Sequence, residues 1–260
     1  MALNPNDTRK PDIRRKIIAI ASGKGGVGKT WFSITLAQAL GQLKRRALLF
    51  DGDLGLANVD IQLGLTPKYD LSGVIAGKLT LKQAITKYTE GGFDIIAGRS
   101  GASNLSALPS SKLKALRSDL AEITNTYDRV IIDLSAGVDR TVQTLATMAG
   151  TILVVTTDEP TSLTDAYAFI KLASRANPAA DIRVVVNMAD SRNSGQNTYE
   201  TLLNACRNFL KSEPPLAGVI RRDSQVRDSI RRQAGLLTRH PTSDAATDVE
   251  SIARQFASIE

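Results

Sequence analysis

"SGKGGVGKT", Ser22 to Thr30, stands between two segments of opposite periodicity. "KIIAIA", Lys16 to Ala21, is a short apolar, β-branched run of the kind that makes a buried parallel strand, and Trp31 to Leu43 carries apolar residues at helical spacing. A strand that enters a helix through Gly23-x4-Gly28-Lys29-Thr30 builds an anion site. The glycines let the backbone curl until successive N–H groups point inward, and the helix presents its positive end to the same spot. Gly23, Lys24, Gly25, Gly26, Val27, Gly28, Lys29, Thr30 and Trp31 are therefore the expected nucleotide contacts. Lys29 reaches the outer phosphates as a point charge, and the Thr30 hydroxyl is the expected Mg²⁺ ligand.

Composition bounds the rest. At 260 residues and 42% hydrophobic content, the chain can bury one sizeable α/β core and is short for two enzyme domains. Residues 1–14 read as a flexible basic extension and 15–260 as a single domain. No apolar run approaches the ~18 residues of a membrane span, and "MALNPNDTRKPDIRRK" lacks the apolar centre of a signal peptide, so a cytoplasmic protein is expected. The single cysteine, Cys206, excludes disulfides and cysteine metal clusters within one chain and reads as a small buried residue. The net charge of +7 is concentrated in two patches, one from Arg9 to Lys16 and one from Arg221 to Arg232. The second patch reads first as a solvated helix face, because Asp223 and Asp228 lie among its arginines; a protein partner and DNA are the alternatives.

Strand and helix signals then alternate to the end. "ALLFD" (Ala47 to Asp51) is a strand whose carboxyl end carries Asp51 and Asp53, where ligands gather in open parallel sheets. Asp53 is expected to position or polarise the attacking water and Asp51 to support the magnesium hydration shell; capping of the next turn is the plain alternative. Ser72 to Ala76 and Leu81 to Tyr88 read as short helices, Phe93 to Ala97 as a strand, Gly98 to Ser106 as a loop and Ser110 to Asn125 as a helix. "RVIID" (Arg129 to Asp133) is a buried strand ending in a carboxylate, with Asp133 expected to hold Mg²⁺ through water. "DLSAGVD", with Gly137, is a candidate switch that senses the γ-phosphate. Thr151 to Thr156 is a strand, Ser162 to Ala176 a helix opened by Ser162 and Asp165, and Ile182 to Asn187 a strand. The Asn187 amide can both donate to and accept from an adenine edge. Thr198 to Leu210, Ala217 to Ile220, Ser224 to Gln233 and Ser243 to Phe256 complete the pattern as helix, strand, helix and helix. The expectation is a doubly wound, mostly parallel sheet with helices on both faces, the architecture of phosphate-loop nucleotide hydrolases. The apolar stripe Val249, Ile252, Ala253, Phe256 and Ile259 lies among more acids than bases, so the last helix is expected to pack on the core and not on anionic lipid.

Lys24, the early second lysine of "KGGVGKT", resembles the deviant Walker A motif of MinD/ParA-class ATPases, in which that lysine crosses a dimer interface to the partner's phosphates. Within the class, "DGDLGLANVDIQLGL" (51–65), "DEPTSLTDAYAFIKL" (158–172), "VVVNMA" (184–189) and "HPTSDAATDVESIARQF" (240–256) resemble the flagellar number regulators of the FlhG or FleN family. That resemblance implies an ATP- and Mg²⁺-dependent homodimer that hydrolyses ATP slowly and limits flagellar number or placement. It also implies an FlhF-like GTPase or a flagellar transcription activator as partner, and a cytoplasmic, polar or peripheral inner-membrane location. Matched to the family, Lys24 is the cross-subunit lysine, Lys29 and Thr30 the phosphate and magnesium residues, Asp53 the catalytic carboxylate, Asp133 the Walker B acid and Asn187 the adenine reader. The chain departs from the family at Gly52, at Leu134-Ser135 and at Arg221, and shows no "DQA"-like N-terminal segment and no basic amphipathic tail.

Overall fold

A computed structural model describes residues 13–53, 55–98 and 109–258. The expected flexible extension, up to Asp12, and the loop beyond Gly98 lie outside them. Ile13–Lys16 form a 3-10 turn, pinned where the Lys16 ammonium donates to the Thr124 carbonyl at 2.9 Å. The strands are β1 (Ile17–Ala21), β2 (Ala47–Gly52), β3 (Ile85–Tyr88), β4 (Phe93–Ile96), β5 (Arg129–Leu134), β6 (Thr151–Thr156), β7 (Asp181–Ala189) and β8 (Leu216–Arg221). They form one sheet in the order β3-β4-β2-β5-β1-β6-β7-β8, parallel at every step except the edge pair β3–β4. The helices are α1 (Lys29–Gln42), α2 (Val59–Leu63), α3 (Leu71–Ile75), α4 (Ser110–Ile123), α5 (Arg140–Ala146), α6 (Pro160–Ala176), α7 (Arg192–Ala205), α8 (Ser224–Arg231), α9 (Leu236–Arg239) and α10 (Asp244–Gln255).

Period-two alternation puts Ile17, Ala19 and Ala21 on one face of β1 and Ile18 and Ile20 on the other. The first face packs with Phe50, Val130 and Ile132 under α4 to α7, the second with Leu49, Ile131 and Leu153 under α1, α9 and α10. Both faces of the central strands are thus apolar, as a doubly wound sheet requires. Of the stripe at the last helix, Val249, Ile252, Ala253 and Phe256 are buried in the second core, while Ile259 lies outside the described residues.

Three local expectations are corrected, and one helix is new. Leu81 to Tyr88 is not a helix: a 3-10 turn over Leu81–Ala84, closed by a capping box between Thr80 and Gln83, leads straight into β3. Its β-branched and aromatic residues find cross-strand partners, Ile85 beside Ile96 and Tyr88 beside Phe93, and pairing outweighs the weak helical pattern. The capping pair Ser162 and Asp165 does not open α6. The helix starts at Pro160, and Ser162 is buried, its hydroxyl accepting from the Thr157 N–H at 3.1 Å. α7 begins at Arg192, six residues before Thr198, because Ser191 and Ser194 cap each other. α5, which no sequence pattern marked, is capped by Asp139, whose carboxylate accepts from Thr141 and Val142.

Cys206 lies fully buried in the π-helical turn that extends α7, and burial pushes its thiol up to about 11. With little thiolate at neutral pH, it should react with Ellman's reagent at least about a hundredfold more slowly in the native protein than in denaturant. Equal rates would mean that this end of α7 opens freely.

Candidate functional site

The carboxyl ends of β1, β2, β5 and β7 bring the expected residues to one edge of the sheet. Gly28 caps α1 from the left-handed region, at φ 87°. A Cβ there would stand 2.5 Å from the Asn187 Nδ2 atom, so only glycine meets both demands. Asn187 is 3% exposed, and its Nδ2 donates to the Val27 carbonyl at 2.8 Å. The carboxyl end of β7 thereby braces the loop, and Asn187 spends one amide donor on the protein. At the loop's other end, the Ser22 carbonyl accepts from the Gly137 N–H at 3.0 Å, which ties it to "DLSAGVD". A Cβ on Gly23 would fall 2.2 Å from the Asp165 carbonyl oxygen, so the loop start is pressed against α6.

The two lysines of the loop diverge. Lys29 is 8% exposed and lies close enough to Asp133 to stabilise its charge. Lys24 turns towards α6, where its ammonium contacts the Glu159 carboxylate and the Thr161 hydroxyl.

Asp51 and Asp133 are direct neighbours across β2 and β5, and both are buried. Burial, with Asp133 alongside, pushes Asp51 up to about 8. Burial also raises Asp133, against the opposing pull of Lys29 and of hydrogen bonds from Thr30 and Ser33. The Ser33 hydroxyl donates to Asp133 at 3.0 Å. Asp51 accepts from the N–H groups of Asp53, Asn58 and Val59, and Asp53 from those of Gly55 and Leu56. The capping alternative is therefore realised for both, and it leaves a second function open, because a carboxylate has about four acceptor sites.

Two buried acids side by side are an unfavourable pair that a cation relieves. Among the described residues no three His, Cys, Asp or Glu side chains converge on a metal-sized point. Mg²⁺ takes one or two carboxylates together with substrate phosphates. Asp133, Asp51 and the Thr30 hydroxyl fit such an ion. Ser33 was missed in the sequence; its signal is a hydroxyl one helical turn after Lys29. Glu159 and Thr161 stood out only as part of a longer motif, since nothing local says that Lys24 reaches them.

Of the late arginines, Arg221 is the one held by a buried carboxylate. Arg221 pairs with the buried Asp248 at 2.8 Å and with Asp244 at 2.7 Å, Arg222 with Asp190 and Arg232 with Asp228. Among the described residues Arg227 and Arg231 have no salt-bridge partner. If this face is a solvated helix surface and not a phosphate-binding one, the log K against log salt slope for duplex DNA is no steeper than about −2. A filter-binding salt series that returned a slope of about −4 or steeper would reveal a phosphate-binding face. His240 reads as structural, hydrogen-bonded to Asp228 at 2.9 Å.

Comparison with known proteins agrees with this geometry. Residues 18–236 match the CobQ/CobB/MinD/ParA nucleotide-binding domain. The chain is 38% identical over 243 residues to the antiactivator FleN of Pseudomonas aeruginosa, across 94% of this chain and 86% of that protein. It is 30% identical to the flagellum site-determining protein YlxH of Helicobacter pylori, across 92% and 80%. The septum site-determining protein MinD of Pyrococcus horikoshii, solved with Mg-ADP, superposes with a TM-score of 0.78 at 25% identity over 92% of this chain and 95% of that one. A likeness that runs nearly the full length of both partners, on a loop with two lysines, means that this chain belongs to the MinD/ParA class of nucleotide-binding ATPases and shares it with the antiactivator FleN.

Proposed function

We propose that this protein is an ATP-dependent dimerising ATPase that limits flagellar number or placement through a partner protein, an FlhF-like GTPase or a flagellar transcription activator. The observation that carries the reading is the 38% identity to FleN along 94% of the chain.

In this reading the loop N–H groups and Lys29 hold the phosphates, and Thr30, Asp133 and Asp51 hold Mg²⁺, which when bound offsets the charge of the outer phosphate oxygens. Asp53 orients and polarises the attacking water. The Ser33 hydroxyl keeps Asp133 oriented towards the loop. Asn187, its Nδ2 anchored to Val27, keeps its carbonyl oxygen for the base amino group. Lys24 serves the nucleotide of the partner subunit, so that ATP binding and dimerisation strengthen each other. Slow turnover makes the dimer a timed state, and "DLSAGVD", tied to the loop through Gly137, reports which nucleotide is present.

The test is complementation. In Pseudomonas aeruginosa lacking FleN, this chain should return flagella per cell to the parental count, and Asp53→Ala and Lys24→Ala variants should not. A chain expressed at normal level that leaves the count unchanged in that host and in its own would refute the flagellar reading. The pairing of Arg221 with the buried Asp248 takes that arginine out of any phosphate-binding face, which weighs against a partition-type DNA role.

A further inference from the structure

α4 carries its charges the wrong way round. A helix is positive at its start and negative at its end, so acids are favoured in the first turn and bases in the last. α4 has neither: its first turn holds Lys112 and no acid, its last turn Glu122 and no base. Both ends are left short of a counter-charge. The face that carries Lys112, Ala115, Asp119 and Glu122 forms one bank of a groove of about 970 Å³ at the β3 edge of the sheet, and the segment from α3 to β3 forms the other. The floor is apolar. Val74, Leu79 and Ile85 are half-buried there, and Leu116 and Ile123 are buried. Lys112 and Glu122 are exposed and Asp119 is half-buried, and among the described residues none of the three has a salt-bridge partner. Asp94, the remaining acid of the groove, already accepts from the Tyr127 hydroxyl at 2.6 Å.

This charge pattern is its own complement. Lys112 and Glu122 stand about 15 Å apart along the helix. A second α4 laid antiparallel across a twofold axis puts each Lys112 against the other copy's Glu122 and sets the two helix dipoles head to tail. The small Ala115 leaves room for that approach, with Asp119 of the other copy opposite it. We propose that the groove is a self-association surface, in which the α4 face of one copy seats against that of a second copy. It goes beyond the reading given above. None of its residues belongs to the phosphate loop or the carboxylate pair, so the contact needs no nucleotide. A chain that also dimerises around ATP would then carry two different twofold contacts, which join dimers into larger assemblies. One groove with solvent-exposed ion pairs makes a weak contact, with a dissociation constant on the order of 10⁻⁴ M.

The test is sedimentation equilibrium of the full chain with Mg²⁺ and ADP. Over a range of about 10 µM to 1 mM the wild type should pass from monomer towards dimer. Lys112→Glu and Glu122→Lys both lie at exposed positions, so the core is left intact. Each puts like charges opposite one another and should weaken association by at least about tenfold. Mixed in equal amounts, the two variants should recover a constant within about threefold of the wild type, because each reversed side chain again faces its opposite. Only a twofold contact that pairs these two positions predicts that recovery. A wild type that stays monomeric at the highest concentration overturns the proposal. So does a single variant that associates as the wild type does, or a mixture that recovers nothing. None of these results bears on the ATP-dependent dimer, whose own test uses an ATP analogue and Lys24→Ala.

Discussion

Lys24→Ala protein stays folded and keeps its nucleotide, but its dimer dissociation constant with a non-hydrolysable ATP analogue rises by at least about a hundredfold, the cost of removing one partner from a desolvated charge pair. The two lysines of the loop are not equivalent. Lys29 is buried beside Asp133, while Lys24 is half-exposed and faces α6. In the proposed reading Lys29 and Mg²⁺ face the outer phosphates, so a second cation in the same subunit would add little. Brought across a closed, water-poor interface it adds much more, because the same charge interacts more strongly where water is excluded. Light scattering coupled to size exclusion, run with ADP and with the analogue, reads the result. A variant that dimerises as the wild type does would return Lys24 to its own nucleotide and remove the dimer mechanism. Folding is not in question, since among the described residues the Lys24 side chain bonds to Glu159 and Thr161 through contacts that water can replace.

Asp53→Ala should lower ATP turnover by about 10²- to 10⁴-fold, the usual contribution of a group that takes or guides a proton, while ATP affinity changes by only a few fold. The dimer should then persist with ATP bound. The difficulty is that Asp53 also accepts from the Gly55 and Leu56 N–H groups, so the alanine variant removes the turn's cap together with the charge. Asp53→Asn separates the two. The amide oxygen can still accept both bonds, but the group no longer carries the charge that polarises water. Low turnover in both variants, measured by phosphate release, supports the catalytic role. Wild-type turnover in Asp53→Asn would make Asp53 a capping residue only.

Long-period features were legible in the sequence because one cause dominates each. Runs such as "KIIAIA" and "RVIID" have no polar face to offer, so they can only be central strands, and a glycine loop between strand and helix has one main use. The tendency of ligands to gather at strand carboxyl ends then singled out Asp51, Asp53 and Asp133, which the fold does bring to that edge of the sheet. Short elements resisted. Leu81 to Tyr88 is too brief for periodicity to choose a state, and the partner that chose it, β4, lies beyond a turn. The start of α7 was hidden because Ser191 and Ser194 cap each other without the Glu or Gln that marks a capping box in sequence. Side-chain partners across the fold were the least visible: Ser33 meets Asp133 across 100 residues and Lys24 meets Glu159 across 135. No local pattern encodes such distances.

The close approach of Gly28 and Asn187 binds two remote parts of the gene into one mutational unit. Any side chain at position 28 collides with Asn187, and trimming Asn187 to make room also removes the brace on the Val27 carbonyl, 160 residues away in sequence. Even after trimming, the left-handed backbone at φ 87° penalises every residue but glycine. Neither position can therefore be changed first at low cost, and a variant library built on this scaffold gains by holding both fixed while it explores the exposed positions around them.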